Sequence, residues 1–308
     1  MPRRVPLPPE RRGTSFRTAD AHGLSRNRLR GRDVQAPYRG IRSIDLDAES
    51  IVHRCRMFAP NMRAGDAVCS ITAALLYRMP LPRDIEDDLR LHVTVAGRHP
   101  PRVRGIVGHS YGLTRPTWSA AGLPLVDPVE TWVHLASILN REDLVAVGDF
   151  LVSGRVVPGG REPPLSTIEE LASMIESLAG VRGLAKLRWA VSRVRTGVDS
   201  RPESHLRLLF VAHGLPEPVV NRPVYSVAGA FLGRADLAYP DLKLLFEYEG
   251  DYHRTSPAQF RRDIARRERF EDHGWRVMRV TSDHLYVAPL AFLRRVRASM
   301  ADRDSRLQ

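Results

Sequence analysis

The most restrictive feature of the sequence is a change of hydrophobic periodicity near residue 198. Beyond it, stretches with the three- and four-residue spacing of helices alternate with short apolar runs typical of strands. In order they predict a helix, three strands, a long amphipathic helix ended by Gly274, a strand and a last helix: SRPESHLRLLFVAHG, PEPVVNRPVYSVAG, FLGRADLAYP, LKLLFEYEG, SPAQFRRDIARRERFEDHG, WRVMRVT and LAFLRRVRASM. This order favours an α/β domain around a central mixed sheet.

A second change of pattern lies near residue 45. Residues 46–197 contain several amphipathic segments with helical spacing, interrupted by LHVTVAG and VRGIVGHS, which alternate like a pair of strands. Residues 1–45 combine a basic arm, short helices and a β-rich stretch. We therefore expect three domains, 1–45, 46–197 and 198–308, with a mostly helical middle domain and an α+β protein overall.

The N-terminal unit is strongly basic, because residues 1–42 contain eleven Arg and only three acidic residues. We expect a first helix over residues 16–21 and a second one, capped by Ser25, over SRNRLRGR. The second helix and the PYRGIR stretch that follows carry five candidate DNA-contacting residues: Arg26, Arg28, Arg30, Arg32 and Arg39. A helix that presents basic side chains suits the major groove, and PYRGIR suits a wing over the backbone. A solvated arginine face with a protein partner is the alternative.

Acidic side chains are concentrated in the hairpin RADLAYPDLKLLFEYEG. The Pro-Asp pair at 240–241 predicts its turn, and Glu247 and Glu249 share one face of the second strand because they are two residues apart. In the expected register Asp236 lies opposite Leu245 and diagonal to Glu247, within reach of a shared cation. Mg²⁺ takes one or two carboxylates together with waters and phosphate oxygens, and it activates water for attack on a phosphodiester. Solvated charges on an outer strand face would give the same pattern.

The helix after the hairpin adds charged residues on one side. Asp263, Arg266, Arg267 and Phe270 follow helical spacing, and an arginine from this helix would relieve repulsion among the clustered carboxylates. His253, just beyond the strand, is placed to act as a general base or to contact phosphate.

The stretch from Glu203 to Leu285 resembles the family described as domain of unknown function 559, related to the very-short-patch repair endonucleases of the PD-(D/E)XK superfamily. The resemblance rests on PESHLRLLFVAHGLPEP, RADLAYPDLKLLFEYEGDYHR and RRDIARRERFEDHGWRVMRVTSDHL. It implies a restriction-endonuclease-like fold and DNA cleavage that depends on Mg²⁺ or Mn²⁺. Within it, Asp236 looks like the metal-binding Asp and Glu247 like the second acid.

The same resemblance implies roles for further residues. Glu203 resembles a helical acid, His253 a histidine after the strand, and Arg279 an arginine just after the Gly-Trp pair at 274–275. Asp263 and Arg266 resemble a helix pair. Glu249 holds the place of a Lys that helps to orient the attacking water in the larger superfamily, and acidic residues are usual there within this subfamily.

The segment TSFRTADAHGLSRNRLRGRDVQAPYRGIRS resembles the winged helix at the N-terminus of AbiEi-type antitoxins of type IV toxin–antitoxin systems. That resemblance implies a winged helix-turn-helix that binds DNA, and a cognate toxin as a partner. The formal net charge of +12 also favours a polyanionic partner, although Arg supplies all but two of the 47 basic residues, and a GC-rich genome gives the same bias.

The remaining composition favours an intracellular protein without a membrane anchor. The N-terminus has no apolar core of a secretory signal, and no segment is apolar over the length needed to span a bilayer, so we expect a cytoplasmic location. Cys55 and Cys69 predict two buried thiols in a reducing compartment. His92, His109 and His134 lack the spacing of metal ligands, and we expect them to be structural.

Three functional hypotheses follow from these patterns. The first is a metal-dependent DNA endonuclease targeted by the N-terminal unit. The second is a non-catalytic DNA-binding regulator or antitoxin with a degenerate nuclease fold. The third is a protein-interaction module whose basic surface reflects genome composition.

Overall fold

The computed structural model describes residues 7, 9–21, 23–95, 99–111, 115, 118–120, 122–250 and 257–307. The chain forms two compact units, Met1–Leu139 and Asn140–Gln308. The domain boundaries expected at 45/46 and 197/198 both fall inside these units, so the chain divides differently from the three-domain organisation. The two units are described separately below.

The first unit contains a mixed five-stranded sheet. The helices and strands of the first unit are β1 (Ser15–Arg17), β2 (Ile41–Ser43), α1 (Ile51–Phe58), β3 (Ala67–Val68), α2 (Ser70–Leu76), α3 (Arg83–Glu86), β4 (Leu91–Thr94), β5 (Ile106–His109), β6 (Trp118–Ala120), β7 (Leu123–Leu125) and α4 (Pro128–Leu135). The strand order is β5-β4-β3-β7-β6. The two strands predicted in the middle region, β4 and β5, pair in parallel. Strands β3, β6 and β7 are two or three residues long, too short for alternation to reveal them.

The prediction of a helix-turn-helix in the N-terminal segment is wrong. Within its described residues, the stretches expected to be helices form single 3₁₀ turns at Thr18–Asp20 and Arg28–Arg30, and residues 15–17 form β1, which pairs antiparallel with β2. The local core is small, because the second stretch contains a single apolar side chain, Leu29, which is buried. A stable helix needs an apolar stripe over several turns, which neither stretch has.

The second unit contains the mixed sheet that the sequence predicts. Its elements are α5 (Arg141–Ser153), β8 (Val156–Val157), β9 (Gly160–Arg161), α6 (Ile168–Ser177), α7 (Leu184–Val191), α8 (Arg201–Ala212), β10 (Val219–Tyr225), β11 (Phe231–Tyr239), β12 (Leu244–Tyr248), α9 (Pro257–Asp272), β13 (Arg276–Val280) and α10 (Pro289–Leu307). The sheet order is β10-β11-β12-β13, antiparallel except for the parallel pair β12–β13. The predicted order of helices and strands from α8 onwards is confirmed, and so is the α+β class.

The two faces of this sheet have separate cores. One contains Phe210 of α8, Phe246 of β12 and Phe292 of α10, and the other contains Leu245 of β12 and Phe270 of α9. Helices α5 and α7 pack together, and α5 also packs on α8. These helices therefore belong to the same compact unit as the sheet, which explains why no boundary lies at residue 197.

Two further predictions concern burial and membranes. Cys55 and Cys69 are buried free thiols, as expected, and burial raises the pKa of Cys55 to about 12. Among the described residues, no helix is both long and apolar enough to cross a membrane.

Candidate active site

The pairing of β11 with β12 places two acidic residues directly opposite each other. Ala238 pairs with Leu245 and Leu237 with Phe246, so Asp236 lies across from Glu247. The expected register, in which Asp236 was diagonal to Glu247, is wrong by two residues. The reason is the turn, where a 3₁₀ turn at Pro240–Leu242 is followed by Lys243 in the left-handed conformation, with φ of 45°.

Asp236 and Glu247 lie on the face of the sheet that α9 covers. Arg266 Nη2 of α9 is 2.9 Å from Glu247 Oε1, and Asp263, Arg266 and Arg267 are all half-buried on the sheet side of that helix. The helix approaches closely because β11 has Gly233 beneath it, where a Cβ would lie 2.7 Å from Phe270 Cζ and 3.3 Å from Arg266 Cγ. The geometry brings an arginine from α9 onto the acidic pair, as the sequence suggested.

Glu203 reaches the same region from the first turn of α8. Its carboxylate accepts hydrogen bonds from Ser200 Oγ at 2.8 Å and from the backbone N–H of Asp199 at 3.0 Å, while Ser200 Oγ accepts one from Glu203 N. This arrangement is a variant of the capping box, in which the N–H of the residue before the N-cap takes the place of the N-cap N–H, and it fixes both the helix end and the side chain. Asn221 Nδ2 of β10 donates a further bond to Glu203 Oε2 at 2.8 Å.

Asn221 completes a polar row across the sheet. Val220 pairs with Leu237 and Arg222 with Ala235, so Asn221 lies across from Asp236. Asn221 has a φ of 45°, which is uncommon for a residue other than glycine and carries a strain of order 1 kcal/mol or more. Asn221 thus fixes the carboxyl group of Glu203, and the charge of Asp236 raises the pKa of that group.

The three carboxyl groups are held in an environment that disfavours their charged forms. Burial raises the pKa of Glu203 to about 7, and the charge of Asp236 contributes in the same direction. Burial likewise raises the pKa of Asp236 and of Glu247, and Arg266 opposes the rise at both. Near neutral pH Glu203 is therefore partly protonated, and the cluster favours any cation that can replace the proton.

This cluster predicts that the protein without metal becomes less stable as pH rises. The pKa of Glu203 is higher in the folded chain than its ordinary value, so between about pH 4.5 and 7 the folded state binds more protons than the unfolded state, and rising pH favours unfolding. Compared with Glu203→Gln, wild type should lose on the order of 2 kcal/mol of unfolding free energy between pH 5 and pH 8. Urea unfolding in EDTA measures this, and Gln preserves the capping box. Equal pH slopes for the two proteins would contradict the expectation.

Glu249 lies at the end of β12 between two arginines. Arg267 Nη2 of α9 is 3.4 Å from Glu249 Oε1, and Arg279 of β13 forms an ion pair with Glu249 Oε2. Its side chain is about one-third exposed at this point. Glu249 is therefore a neutralised carboxylate rather than an isolated third acid beside Asp236 and Glu247.

The residues present suit a cation bound by two carboxylates. Glu247 Oε1 is buried and accepts no hydrogen bond of good geometry from a described residue, although Arg266 lies at ion-pair distance. Across the described part of the chain, no group of three or more His, Cys, Asp or Glu side chains is arranged to hold a metal ion. Asp236 and Glu247 supply two opposed carboxylates, and Mg²⁺ can be held by one or two carboxylates when water and phosphate oxygens supply the rest. His253, the candidate base, lies outside the described residues.

The five N-terminal arginines do not share one environment. Arg26, Arg30, Arg32 and Arg39 are exposed, whereas the side chain of Arg28 is 6% exposed and forms a two-pronged ion pair with Asp33, at 2.6 and 2.9 Å. The prediction that Arg28 contacts DNA is therefore corrected, because a buried guanidinium already bound to a carboxylate cannot reach a phosphate. The other four stay candidates.

Three histidines of the first unit, His92, His109 and His134, form a stack with Tyr111. His92 Nδ1 lies 3.0 Å from His109 Nε2, and Tyr111 stacks between His109 and His134 at centroid distances of 4.8 and 3.7 Å. Burial lowers the pKa of His92 and of His134 to about 4, so both are neutral interior groups at pH 7.

Sequence reasoning missed Asn221 and Asp199 as neighbours of the acidic cluster. An Asn within the apolar run VVNRPVY is a polar residue on a strand that pairs with the acidic one, and Asp199 immediately precedes the Ser that caps α8. Both signals are visible in the sequence, but they gain meaning only with the strand register known.

Similarity searches place the chain beside proteins of unknown activity. Two relatives are uncharacterized proteins of Mycobacterium tuberculosis, from strains CDC 1551 / Oshkosh and H37Rv, each 28% identical over 226 residues, which cover 73% of this chain and 78% of the relative. No family model matches the chain, and no solved structure matches it. The similarity to these relatives extends over most of both chains, and because the relatives are uncharacterized it indicates no activity for this chain.

Proposed function

We propose that the protein hydrolyses phosphodiester bonds of DNA in a reaction that depends on Mg²⁺ or Mn²⁺. The observation that supports this best is the pair Asp236 and Glu247, which are opposed on adjacent strands, half-buried and buried respectively, and held at raised pKa. The resemblance to PD-(D/E)XK nucleases assigns metal binding to the same two residues, and the mixed sheet flanked by helices is compatible with that fold.

Asp236 and Glu247 would hold the cation with one or both carboxylates. A bound divalent ion supplies positive charge for the phosphate and lowers the pKa of a water molecule. Tyr248 N donates a hydrogen bond of 2.7 Å to Asp236 Oδ2, which keeps that carboxylate oriented. Glu203, with a pKa of about 7 and its carboxyl fixed by the capping box, is the group best suited to accept a proton from water at neutral pH.

The alternative is a DNA-binding regulator or antitoxin that cleaves nothing. It is favoured by the arginines at the cluster, because Arg266 already neutralises Glu247 and two arginines neutralise Glu249. A carboxylate satisfied in this way needs no metal for stability. The regulator would bind a promoter with sequence preference and would bind a cognate toxin.

The two functions are separated by incubating purified protein with supercoiled, single-stranded and mismatched DNA. The nuclease produces nicked or linear products with Mg²⁺ or Mn²⁺ and none with EDTA. The regulator leaves every substrate intact and retards a fragment of its own promoter more strongly than unrelated duplex. Absence of cleavage when calorimetry shows Mn²⁺ bound would remove the nuclease proposal.

The exposed N-terminal arginines are proposed to bind the DNA backbone. Replacing Arg26, Arg30 and Arg32 with Ala should reduce the slope of log affinity against log salt by about one unit for each phosphate that the protein no longer neutralises. Arg28→Ala should instead lower the melting temperature, since it removes the ion pair with Asp33. Fluorescence anisotropy of a labelled duplex between 50 and 200 mM salt, the range over which such slopes are commonly compared, tests the first expectation. An unchanged slope would assign this face to a protein partner or to solvent.

A further inference from the structure

A second charged group lies beside the acidic pair, built around Asp199. Arg161 and Arg234 form ion pairs with the two carboxylate oxygens of Asp199, one arginine on each oxygen. The three residues come from separate parts of the second unit: β9, the segment before α8, and β11. Their side chains are 26%, 44% and 16% exposed for Arg161, Arg234 and Asp199, so both guanidiniums remain open to solvent.

A hydrogen bond to the backbone fixes the side chain of Arg161. Its Nη1 donates to Gly154 O at 2.9 Å, and Gly154 is the residue that ends α5. Gly154 has a φ of 74°, and a Cβ there would collide with the backbone of Glu162. The short hairpin β8–β9 therefore folds back against the end of α5, which fixes where Arg161 projects.

Arg234 is tied to the acidic pair by the strand itself. It precedes Asp236 by two residues on β11, so the two side chains share a face about 7 Å apart along the strand. The charges of Asp199 and Arg234 both act on the pKa of Asp236, Asp199 raising it and Arg234 lowering it. Asp199 is also joined to the cluster through its N–H, which donates to Glu203.

The charge of this group matches a phosphodiester. Two guanidiniums around one carboxylate leave one excess positive charge, and a phosphodiester carries one negative charge. Arg234 makes no hydrogen bond from Nε or Nη1 to any described residue, so these donors are available to phosphate oxygens, for which the planar guanidinium is well suited.

We propose that Arg161 and Arg234, held by Asp199, bind a backbone phosphate of the DNA next to the position where Asp236 and Glu247 act. This inference rests on the proposed function for its substrate, DNA, but not on cleavage. Asp199 is a positioning residue, because it touches the arginines and not the DNA. The arrangement also gives the short hairpin β8–β9, which carries Arg161, a part in the phosphate site.

The test is DNA binding in EDTA, where cleavage plays no part. A short fluorescein-labelled duplex is titrated with wild type, with the double variant Arg161→Gln/Arg234→Gln, and with Arg155→Gln. Arg155 is a matched control, since it lies on the same hairpin but pairs with Glu162. The double variant should bind about tenfold more weakly at low salt and lose about one unit of salt slope, because one phosphate is no longer neutralised, while Arg155→Gln changes neither. Of the two single variants, Arg234→Gln should lose part of the salt slope, and Arg234→Lys should have the slope of wild type, because lysine keeps the positive charge.

The outcomes separate this inference from the proposed function. If the double variant melts like wild type and binds with the same affinity and slope, or if wild type does not bind the duplex at all, the phosphate site is wrong. If the double variant loses binding while wild type cleaves no DNA in any metal, the phosphate site stands and the nuclease proposal falls. If the double variant loses slope and melting temperature together, the recovered slope of Arg234→Lys supports the site, and an unrecovered slope overturns it.

Discussion

Replacing Glu247 with Gln should reduce metal-dependent DNA cleavage by about a thousandfold or more, while affinity for duplex in EDTA stays the same. The substitution keeps the shape of the side chain and removes the charge that we propose holds a cation opposite Asp236. A catalytic metal contributes several kcal/mol to the transition state, and each 1.36 kcal/mol corresponds to about tenfold in rate. Nicking of supercoiled plasmid under single-turnover conditions measures the rate.

The matched control is Glu268→Gln, on the exposed side of the same helix that carries Arg266. It should cleave like wild type. Calorimetry with Mn²⁺ adds a second measurement, because Asp236→Ala should abolish the heat that wild type gives. Cleavage that survives Glu247→Gln would identify a contaminating nuclease, and Mn²⁺ heat that survives Asp236→Ala would place the metal elsewhere.

The second large effect concerns stability. Asp149→Ala should lower the free energy of unfolding by about 3 kcal/mol, because it leaves the buried Arg207 with only Glu217, a carboxylate about one-third exposed, as its partner. Asp149 of α5 is fully buried and accepts from Arg207 Nη2 at 3.0 Å, from Ser204 Oγ at 2.7 Å and from Arg195 N at 2.7 Å. Arg207 is only 1% exposed.

Guanidinium chloride unfolding measures this loss through the shift in midpoint at constant slope. The double variant Asp149→Leu/Arg207→Met should be less destabilised, since replacing both partners with apolar side chains removes the buried charge, and Glu217 keeps its pair with Arg195. Arg306→Ala, which breaks a surface pair with Asp302, should cost less than about 0.5 kcal/mol. A loss below about 1 kcal/mol for Asp149→Ala would contradict this expectation and show that Glu217 alone is enough to neutralise Arg207.

The sequence predicts the second unit well because its signals are long. Helix α9 covers sixteen residues and ends beside Gly274, and β12 is a continuous apolar run around Phe246. Such segments fold as their periodicity indicates whatever surrounds them. In the N-terminal segment the expected helices offer few apolar positions, so tertiary contacts around Phe16 and Leu29 decide the backbone, and 3₁₀ turns form instead.

The acidic residues were predictable as a group, whereas their geometry was not. Glu247 and Glu249 share a strand face by spacing alone, but the pairing of Asp236 with Glu247 depends on a turn with Lys243 in the left-handed conformation, which a residue other than glycine seldom adopts. The contacts of Asp199 with Arg161 and of Asp149 with Arg207 join residues 38 and 58 positions apart. No local sequence pattern indicates contacts between residues so far apart in the chain.

The ion pairs of Glu249 with Arg267 and Arg279 also constrain how this protein can change over evolution. A single Glu249→Lys substitution places three positive charges together where one negative charge held two. That step is disfavoured until at least one of the arginines has been replaced. The order of substitutions therefore matters, and a lineage that has acquired both arginines keeps its acidic residue even when selection favours lysine.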